Sequence, residues 1–191
     1  MESVTIEQAL PGLGGRESTP APQLAVGRAV LLTPQKRLAV VAGSSHPLLA
    51  DKIAGHLDVA LTKVERDTFA DGSPYFRFED SVRGADMFIV QTAAPSIGEH
   101  LMELLIMVNA AKLASAKRVT AVIPWYFYAR QDKKSRPREP ITARLVADLL
   151  ETAGVDRVIT LDLHAGQVQG FFRIPVDHMV AVPMFAQHIR D

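Results

Sequence analysis

The sequence alternates short runs of apolar, often β-branched residues with longer stretches whose apolar residues recur at helical spacing. Short continuous apolar runs are typical of strands that are buried on both faces of a parallel sheet. Parallel strands need a crossover between them, and a helix usually supplies it. The alternation therefore predicts an α/β fold with a mostly parallel sheet flanked by helices. The strongest predicted strands are residues 38–42, 86–91, 118–124 and 157–163.

Helical spacing predicts the crossovers between these strands. Leu49, Ile53 and Leu57 follow Pro47 at helical intervals, and proline suits the first turn of a helix. Besides this helix, we predict helices over residues 97–114, between Pro140 and Gly154, and from Pro183 onward. Weaker strand patterns lie at residues 59–64 and 75–79.

Residues 1–35 lack this alternation, because glycines and prolines interrupt a weakly patterned stretch. Such a composition predicts a flexible extension. Residues 36–191 then form one domain, and a chain of 191 residues, 48% of them hydrophobic, can bury a sizeable core. No cap or glycine closes the last predicted helix, so we expect the domain to be cut short at the start of a second one.

Charge balance and residue types exclude several classes of protein. With 21 Lys and Arg against 21 Asp and Glu, the chain lacks the basic excess of a general nucleic-acid or membrane-surface binder. It has no cysteine, which excludes disulfides, thiolate metal sites and cysteine nucleophiles. No run approaches the roughly 18 apolar residues that span a bilayer, and the first residues do not resemble a signal peptide. We therefore expect a cytoplasmic protein.

Positive charge is concentrated in residues 130–144, which hold six of the 21 Lys and Arg residues against two acids. This basic loop joins the carboxyl end of a predicted strand to the amino end of a predicted helix. In open α/β sheets ligands collect at that edge, where helix N–H groups also favour anions. Arginine and lysine there suit a polyanion, most commonly phosphate. The alternatives are a solvated loop without a ligand and an RNA-binding loop, which the neutral net charge disfavours.

Asp162 and His164 close the predicted strand on the same side, since alternate residues of a strand share a face. A carboxylate beside an imidazole can hold a metal directly or through water, or can tune a proton acceptor. The preference of magnesium for oxygen ligands counts against direct coordination by the imidazole. The structural alternative is an aspartate that caps the next turn and a histidine packed under a loop.

Four further segments carry weaker signals. Residues 69–73 contain an Asp-Gly pair that favours a hairpin turn, although Phe69 could also stack on a base. Residues 81–84 are either a small anion site or an ordinary turn. The aromatic residues 125–128 are expected to pack the base of the basic loop. Residues 167–172 show no chemistry that follows from their types alone.

Three long motifs carry a family resemblance. They are Arg-Gln-Asp-Lys-Lys at 130–134, Pro-Arg-Glu-Pro-Ile at 137–141, and Asp-Leu-His-Ala-Gly-Gln-Val-Gln-Gly-Phe-Phe at 162–172. Through them the chain closely resembles ribose-phosphate pyrophosphokinase, the phosphoribosyl pyrophosphate synthetase, over residues 37–191. That family transfers the β,γ-diphosphoryl group of magnesium ATP to ribose 5-phosphate and releases AMP. The resemblance implies a phosphoribosyltransferase-like amino-terminal domain, a place in nucleotide biosynthesis and a homo-oligomer.

The resemblance also implies which residues bind the nucleotide and its metal. Arg130 and Gln131 match positions that contact ATP, with Arg130 reaching the phosphates. Asp162 and His164 match residues that organise magnesium and the triphosphate. These two are the expected metal ligands, and His164 is also an expected nucleotide contact.

A second part of the nucleotide site is implied in the hairpin loop. Phe69 and Asp71 match a loop that embraces the adenine of a neighbouring subunit's ATP, and Ser73 stands at the end of that loop. Ser81 and Arg83 fall where such enzymes bind a regulatory phosphate or ADP. ATP, ribose 5-phosphate and this effector are therefore the expected ligands.

The chain departs from the family pattern at Ser73, where a glutamate is usual, and at Arg173, where many members have an aspartate. The first change removes a carboxylate acceptor, and the second puts a peripheral metal contact in doubt. The family's ribose-phosphate loop and its catalytic lysine and arginine belong to a second domain, so no catalytic residue is assigned here. We expect this chain alone to be inactive. The alternative is a non-catalytic subunit that assembles with a full-length enzyme and modulates it.

Overall fold

The computed structural model describes residues 37–190, so the predicted extension at residues 1–35 lies outside the described part of the chain. In chain order the elements are β1 (Leu38–Ala42), α1 (Pro47–His56), β2 (Val64–Thr68), β3 (Pro74–Phe78), β4 (Asp86–Val90), α2 (Ile97–Leu113), β5 (Arg118–Ile123), α3 (Thr142–Ala153), β6 (Arg157–Leu161), β7 (Val176–Met179) and α4 (Val182–Arg190). A short 3-10 helix, Gly166–Phe171, lies between β6 and β7. Within residues 37–190, no helix has the length and apolar character needed to cross a membrane.

Five strands form one sheet in the order β1, β4, β5, β6, β7, and every neighbouring pair is parallel. The predicted α/β fold with a mostly parallel sheet flanked by helices is confirmed. The larger core lies between this sheet and helices α2 and α3, whereas α1 packs on the other face, against β1 and β4. The larger core contains the fully buried side chains of Met87, Ile89, Leu104, Phe127 and Leu150.

The helix ends follow from local residue types. α1 begins at Pro47, and Nδ1 of His46 accepts the N–H of Leu49 at 3.3 Å, which satisfies a donor of the first turn. α3 ends before Gly154, whose φ of 109° lies in the left-handed region that favours glycine. Both helix predictions are confirmed, as are those for α2 and α4.

The predicted strand at residues 59–64 is wrong. The strand β2 begins only at Val64 and pairs antiparallel with β3 in a separate two-stranded sheet, while Leu61 makes a single bridge to Val40. β2 was not predicted because its residues are mostly charged and form no apolar pattern. A cross-strand ion pair joins it to β3: Nη2 of Arg77 lies 2.7 Å from Oε2 of Glu65.

The predicted strand at 157–163 is too long, because β6 ends at Leu161. Asp162 has a φ of 44°, a left-handed conformation that leaves the strand geometry. The alternation of side chains along a strand therefore does not apply to Asp162 and His164. The strand β7 and the 3-10 helix before it were not predicted, since residues 166–179 show neither a clear period of two nor of 3.6.

A buried glutamine fixes the turn between β1 and α1. Gln91 follows β4 and is fully buried, and its side-chain oxygen accepts the N–H of Ser45 at 3.0 Å and its hydroxyl at 2.6 Å. Its amide nitrogen donates to the carboxylate of Glu103 on α2 at 2.7 Å and to the carbonyl of His100 at 3.1 Å. All the hydrogen-bonding capacity of this amide is thus directed at neighbouring elements, as a buried polar group requires.

Glu103 extends the network to the hairpin formed by β2 and β3. Its carboxylate accepts the N–H of Ser44 at 3.2 Å and the Nε–H of Arg66 at 3.1 Å. The guanidinium of Arg66 also donates to the carbonyl of Ala42 and lies 5.6 Å from the ring centroid of Phe76. One carboxylate therefore ties the hairpin, the first turn and α2 together.

We expect Gly43→Ala to lower the free energy of unfolding by about 1–3 kcal/mol, since a methyl group there overpacks the turn. A Cβ at Gly43 would lie 2.1 Å from the side-chain oxygen of Gln91, which its hydrogen bonds hold in place. Gly55→Ala in α1 is the matched control. No atom lies within 4 Å of its added Cβ, so it should stabilise by about 0.5–1 kcal/mol. Urea unfolding measures both, and equal effects of the two variants would contradict this account.

Candidate functional site

A cavity of about 500 Å³ opens at the carboxyl edge of the sheet, between the loops that follow β5 and β6. Its lining includes Arg130 and Gln131 from the first loop, and Asp162 and His164 from the second. The structure therefore brings together the start of the basic loop and the carboxylate–imidazole pair. The edge predicted from the sequence is the edge at which these side chains meet.

The cations of the basic loop do not all face this cavity. Arg144 lies on α3 and pairs with Asp148 one turn later, with its Nη2 at 2.9 Å from the carboxylate. The hydrogen bond between them raises the pKa of Arg144 and lowers the pKa of Asp148. Among residues 37–190, the other five cations of the loop form no ion pair, and Arg130 is the one that lines the cavity.

Both ends of the basic loop are anchored. The carbonyl of Gln131 accepts the N–H of Ala143 at 3.1 Å, and its side-chain oxygen accepts the hydroxyl of Thr142. Asp132, only 7% exposed, accepts the side-chain N–H of Gln167 at 3.1 Å. Gln131 therefore joins the loop to α3, and Asp132 joins it to the 3-10 helix.

The tip of the loop is folded back on itself. The carboxylate of Glu139 accepts the N–H groups of Ser135 and Arg136, at 2.7 and 2.9 Å. This turn leaves the side chains of Lys133 and Lys134 exposed to solvent. The solvated-loop interpretation therefore describes the tip, whereas the anchored start of the loop borders the cavity.

Asp162 is held by the chain segment at the end of β7. Its N–H donates to the carbonyl of Met179 at 2.9 Å, and its Oδ1 accepts the N–H of Ala181 at 3.2 Å. Oδ1 of Asp162 therefore has the capping role that was the structural alternative. Among residues 37–190, Oδ2 accepts no hydrogen bond, so it is open to a ligand.

Two non-glycine residues at the cavity have left-handed backbones, Tyr128 with a φ of 52° and Asp162 with a φ of 44°. Such conformations cost about 1–3 kcal/mol each and persist where surrounding contacts impose them. They cluster at binding and catalytic sites in other proteins. Their place at this cavity agrees with a site whose loop geometry serves a ligand.

The donor set decides what kind of metal could bind. Within residues 37–190, no cluster of three or more acidic or histidine side chains could hold a metal ion. Asp162 and His164 alone do not form a closed cage. Magnesium is usually held by one or two carboxylates together with substrate phosphates and water. The residues therefore fit a magnesium ion that arrives with a polyphosphate, and they do not fit a permanently bound one.

Aromatic residues line the cavity beside the charged groups. Trp125 is 61% exposed, whereas Tyr126 is buried and donates its hydroxyl to the carbonyl of Ala143 at 3.1 Å. Burial raises the pKa of Tyr126. The expected packing role of residues 125–128 is confirmed for Tyr126 and Phe127, and Trp125 was missed as a candidate surface for a flat ligand.

The hairpin loop, which the resemblance assigns to the nucleotide site, does not line the cavity. Residues 69–73 form the predicted turn between β2 and β3. The ring of Phe69 is 57% exposed and makes an edge-to-face contact with Tyr75, with 5.7 Å between the ring centroids. Asp71 accepts the N–H and hydroxyl of Ser73 at 2.9 and 2.6 Å, which lowers the pKa of Asp71. None of Phe69, Asp71 or Ser73 lines the 500 Å³ cavity.

Two other predicted positions lie away from the cavity. Residues 81–84 form a turn before β4, with Val82 buried and Gly84 at a φ of 70°. This turn is at the amino edge of the sheet.

Arg173 contacts α3 through both its side chain and its main chain. Its guanidinium lies 3.8 Å from the carboxylate of Glu151, and its main-chain N–H donates to the same carboxylate at 2.6 Å. The effect of Arg173 on a peripheral metal contact stays a prediction.

Comparisons with known proteins agree with the fold and the motifs. Residues 38–154 match the family model of the N-terminal domain of ribose phosphate pyrophosphokinase. Ribose-phosphate pyrophosphokinases of Corynebacterium glutamicum (strain ATCC 13032) and Mycobacterium tuberculosis (strain H37Rv) are 52% and 53% identical over 157 residues, covering 82% of this chain and 48% of each relative. The crystal structure of phosphoribosylpyrophosphate synthetase from Mycobacterium smegmatis is 54% identical, with a TM-score of 0.79 over 81% of this chain and 52% of that chain. The chain spans about half the length of the curated relatives it matches.

We expect Ser73→Ala to raise the pKa of Asp71 toward its ordinary value, because the variant removes the hydroxyl that stabilises the carboxylate. In the unchanged protein the lowered pKa keeps Asp71 ionised to more acidic pH than an ordinary aspartate. A ¹³C NMR titration of the aspartate carboxyl groups measures the change. Asp148, whose pKa is set by Arg144, is the internal control and should not move. An unchanged Asp71 would show that Ser73 does not orient this carboxylate.

Proposed function

Because the chain belongs to the ribose-phosphate pyrophosphokinase family, we propose that its 500 Å³ cavity binds the polyphosphate of magnesium ATP. The observation that carries the proposal is the meeting of Arg130 with Asp162 and His164 at one sheet edge. A cation, an open carboxylate oxygen and an imidazole are what a metal-bound polyphosphate needs on its protein side.

Each residue has a separate task in this proposal. The guanidinium of Arg130 donates to phosphate oxygens, and its planar fork suits two of them at once. Gln131 contributes an amide while its main chain holds the loop on α3. Asp162 and His164 hold magnesium directly or through water. The bound ion supplies positive charge that neutralises part of the triphosphate.

The hairpin serves a different chain in this proposal. Phe69, Asp71 and Ser73 embrace the adenine of a neighbouring subunit's ATP. None of the three lines the cavity of its own chain, and the ring of Phe69 is 57% exposed, which supports this arrangement. The nucleotide site is then completed only in a homo-oligomer. The turn with Ser81 and Arg83 is the proposed site for a phosphate or ADP effector.

The complete reaction is assigned to the whole protein of this family. We propose the transfer of the diphosphoryl group of magnesium ATP to ribose 5-phosphate, giving phosphoribosyl pyrophosphate and AMP for nucleotide biosynthesis in the cytoplasm. The chain covers 48% of the length of the first relative. In this proposal the ribose-phosphate site and the catalytic lysine and arginine belong to the part of the protein that corresponds to the remainder. Residues 36–191 then form the amino-terminal domain, which binds the nucleotide and makes little product alone.

A non-catalytic subunit that assembles with a full-length synthetase is the second candidate. The feature that favours it is Ser73, which stands where the family usually has a glutamate and uses its hydroxyl within its own loop. Such a subunit would co-purify with a full-length synthetase and change its rate. Co-purification together with failure to bind magnesium ATP would favour this candidate over the first.

An uncovered apolar surface supports self-association. None of the residues of α4 is buried, and four of them are exposed apolar side chains: Val182, Met184, Phe185 and Ile189. Met179, at the end of β7, is 58% exposed nearby in the sequence. Val182, Phe185 and Ile189 recur at intervals of three and four residues and so share one face of α4. An exposed apolar face of this kind usually marks an interface.

We expect magnesium ATP to bind the purified chain without AMP release above background when ribose 5-phosphate is added. Trp125 is the only tryptophan in the sequence and lines the cavity, so a saturable change in its fluorescence reports binding. Chromatography of the nucleotides measures AMP. Release that depends on ribose 5-phosphate would show that a complete active site forms in this chain and would overturn the expected inactivity.

Two variants test whether the fluorescence change comes from this cavity. Arg130→Gln should weaken binding about tenfold or more, since a hydrogen bond to a charged group is worth about 1.5–3 kcal/mol. Lys117→Gln is the control, because Lys117 is an exposed cation beside the start of β5, at the opposite edge of the sheet. Equal weakening by both variants would indicate general charge attraction and not the proposed site.

We also expect the chain to self-associate as its concentration rises, and the double variant Phe185→Ser, Ile189→Ser to reduce this association. Serine removes apolar surface from α4 without removing a buried contact. Sedimentation velocity at low and high concentration measures the change. Leu113→Ser is the control, since Leu113 is 79% exposed at the end of α2. One unchanging monomer for the unmodified chain would refute the expectation.

A further inference from the structure

The end of β7 holds the loop that carries Asp162 and His164. Three hydrogen bonds connect them: Asp162 N–H to the carbonyl of Met179 at 2.9 Å, Ala181 N–H to Oδ1 of Asp162 at 3.2 Å, and Leu163 N–H to Nε2 of His178 at 3.0 Å. The first two use the main chain of the β7 segment, which almost any residue would supply. The third depends on the side chain of His178.

The hydrogen bond from the N–H of Leu163 determines which ring nitrogen of His178 carries the proton. A ring nitrogen that accepts an N–H carries no proton, so the neutral ring has its proton on Nδ1. Nδ1 lies 3.5 Å from the side-chain nitrogen of Gln169, which donates to the carbonyl of Gly166 at 3.1 Å. Both nitrogens are donors in this state, so they lie in contact without a hydrogen bond between them. The 3-10 helix, whose residue types alone indicate no chemistry, therefore places an amide against this imidazole.

The position of Leu163 gives the bond its importance. Leu163 lies between Asp162 and His164 and itself lines the same cavity. Asp162 has a left-handed backbone, which costs free energy unless neighbouring contacts impose it. An acceptor on the next peptide N–H is such a contact. Without it, the turn keeps only the two hydrogen bonds of Asp162, and the directions of Asp162 and His164 are less well fixed.

We propose that His178 is a positioning residue for the nucleotide site, acting through the N–H of Leu163. The inference rests on the proposed binding of magnesium ATP to this cavity. His178 itself contacts neither ligand nor metal in this proposal. Its contribution is the direction in which Asp162 and His164 point.

Three variants and the fluorescence of Trp125 test the proposal with magnesium ATP as the ligand. His178→Leu removes the acceptor and should weaken binding about tenfold, which corresponds to about 1.4 kcal/mol. His178→Gln keeps an acceptor oxygen at similar reach and should bind as the unchanged protein does. Asp177→Asn is the matched control, since it weakens the pair of Asp177 with Arg157 on the opposite face of β7. It should leave binding unchanged.

Thermal unfolding of each variant separates positioning from a general loss of structure. Weaker binding by His178→Leu, with recovery in His178→Gln, supports the proposal. Unchanged binding by His178→Leu, or equal weakening by the leucine and glutamine variants, overturns it. If the unchanged protein does not bind magnesium ATP, the proposed function fails, and a structural measurement then decides the role of His178.

NMR of the unchanged protein tests the hydrogen bond between Leu163 and His178 directly. It can be used whether or not the His178→Leu variant folds. The ¹⁵N shifts of the neutral His178 ring should show its proton on Nδ1 and none on Nε2. The amide of Leu163 should exchange slowly with solvent. A proton on Nε2, or fast exchange at Leu163, would overturn the positioning role whatever the nucleotide does.

Discussion

Parallel pairing of β5 with β6 places the two polar loops of the cavity side by side. Ile123 is in register with Thr160, and the N–H of Leu161 donates to the carbonyl of Pro124 at 3.1 Å, so the pairing continues to the ends of both strands. The loops that follow start as neighbours for this reason alone. Gln131 and Asp162, the lining residues of the two loops that are nearest in the sequence, are 31 positions apart (162 − 131), and the pairing of the strands brings them to one cavity.

The cavity combines rigid anchors with open ligand-facing atoms. Asp132 and the carbonyl of Gln131 are committed to the protein, as is one oxygen of Asp162. Among residues 37–190, the guanidinium of Arg130 and Oδ2 of Asp162 have no such protein partner. A polar group held by its neighbours loses little freedom when a ligand arrives, which lowers the cost of binding. The left-handed backbone of Asp162 is consistent with this arrangement, because its contacts impose a geometry that the residue does not prefer.

Much of this arrangement could be predicted from the sequence. Apolar runs and helical spacing identified the main strands up to β6 and all four helices, because burial dictates those patterns. Asp162 and His164 were placed at the right edge for a wrong reason, since the strand ends before them and a left-handed turn directs the loop. The hairpin strand β2 was missed because its residues are mostly charged and exposed, so they give no apolar pattern. The contact of His178 with Leu163 joins residues 15 apart and follows no local pattern.

The hairpin imposes a further constraint on how the cavity is used. Arg66 fixes the hairpin to Glu103 and to the carbonyl of Ala42, so the loop with Phe69 and Asp71 has a defined attachment to its own chain. That loop does not line its own cavity. If the hairpin of one chain completes the cavity of another, as proposed, nucleotide affinity and self-association are linked and each strengthens the other. Nucleotide affinity would then depend on protein concentration, which a cavity complete within one chain would not require.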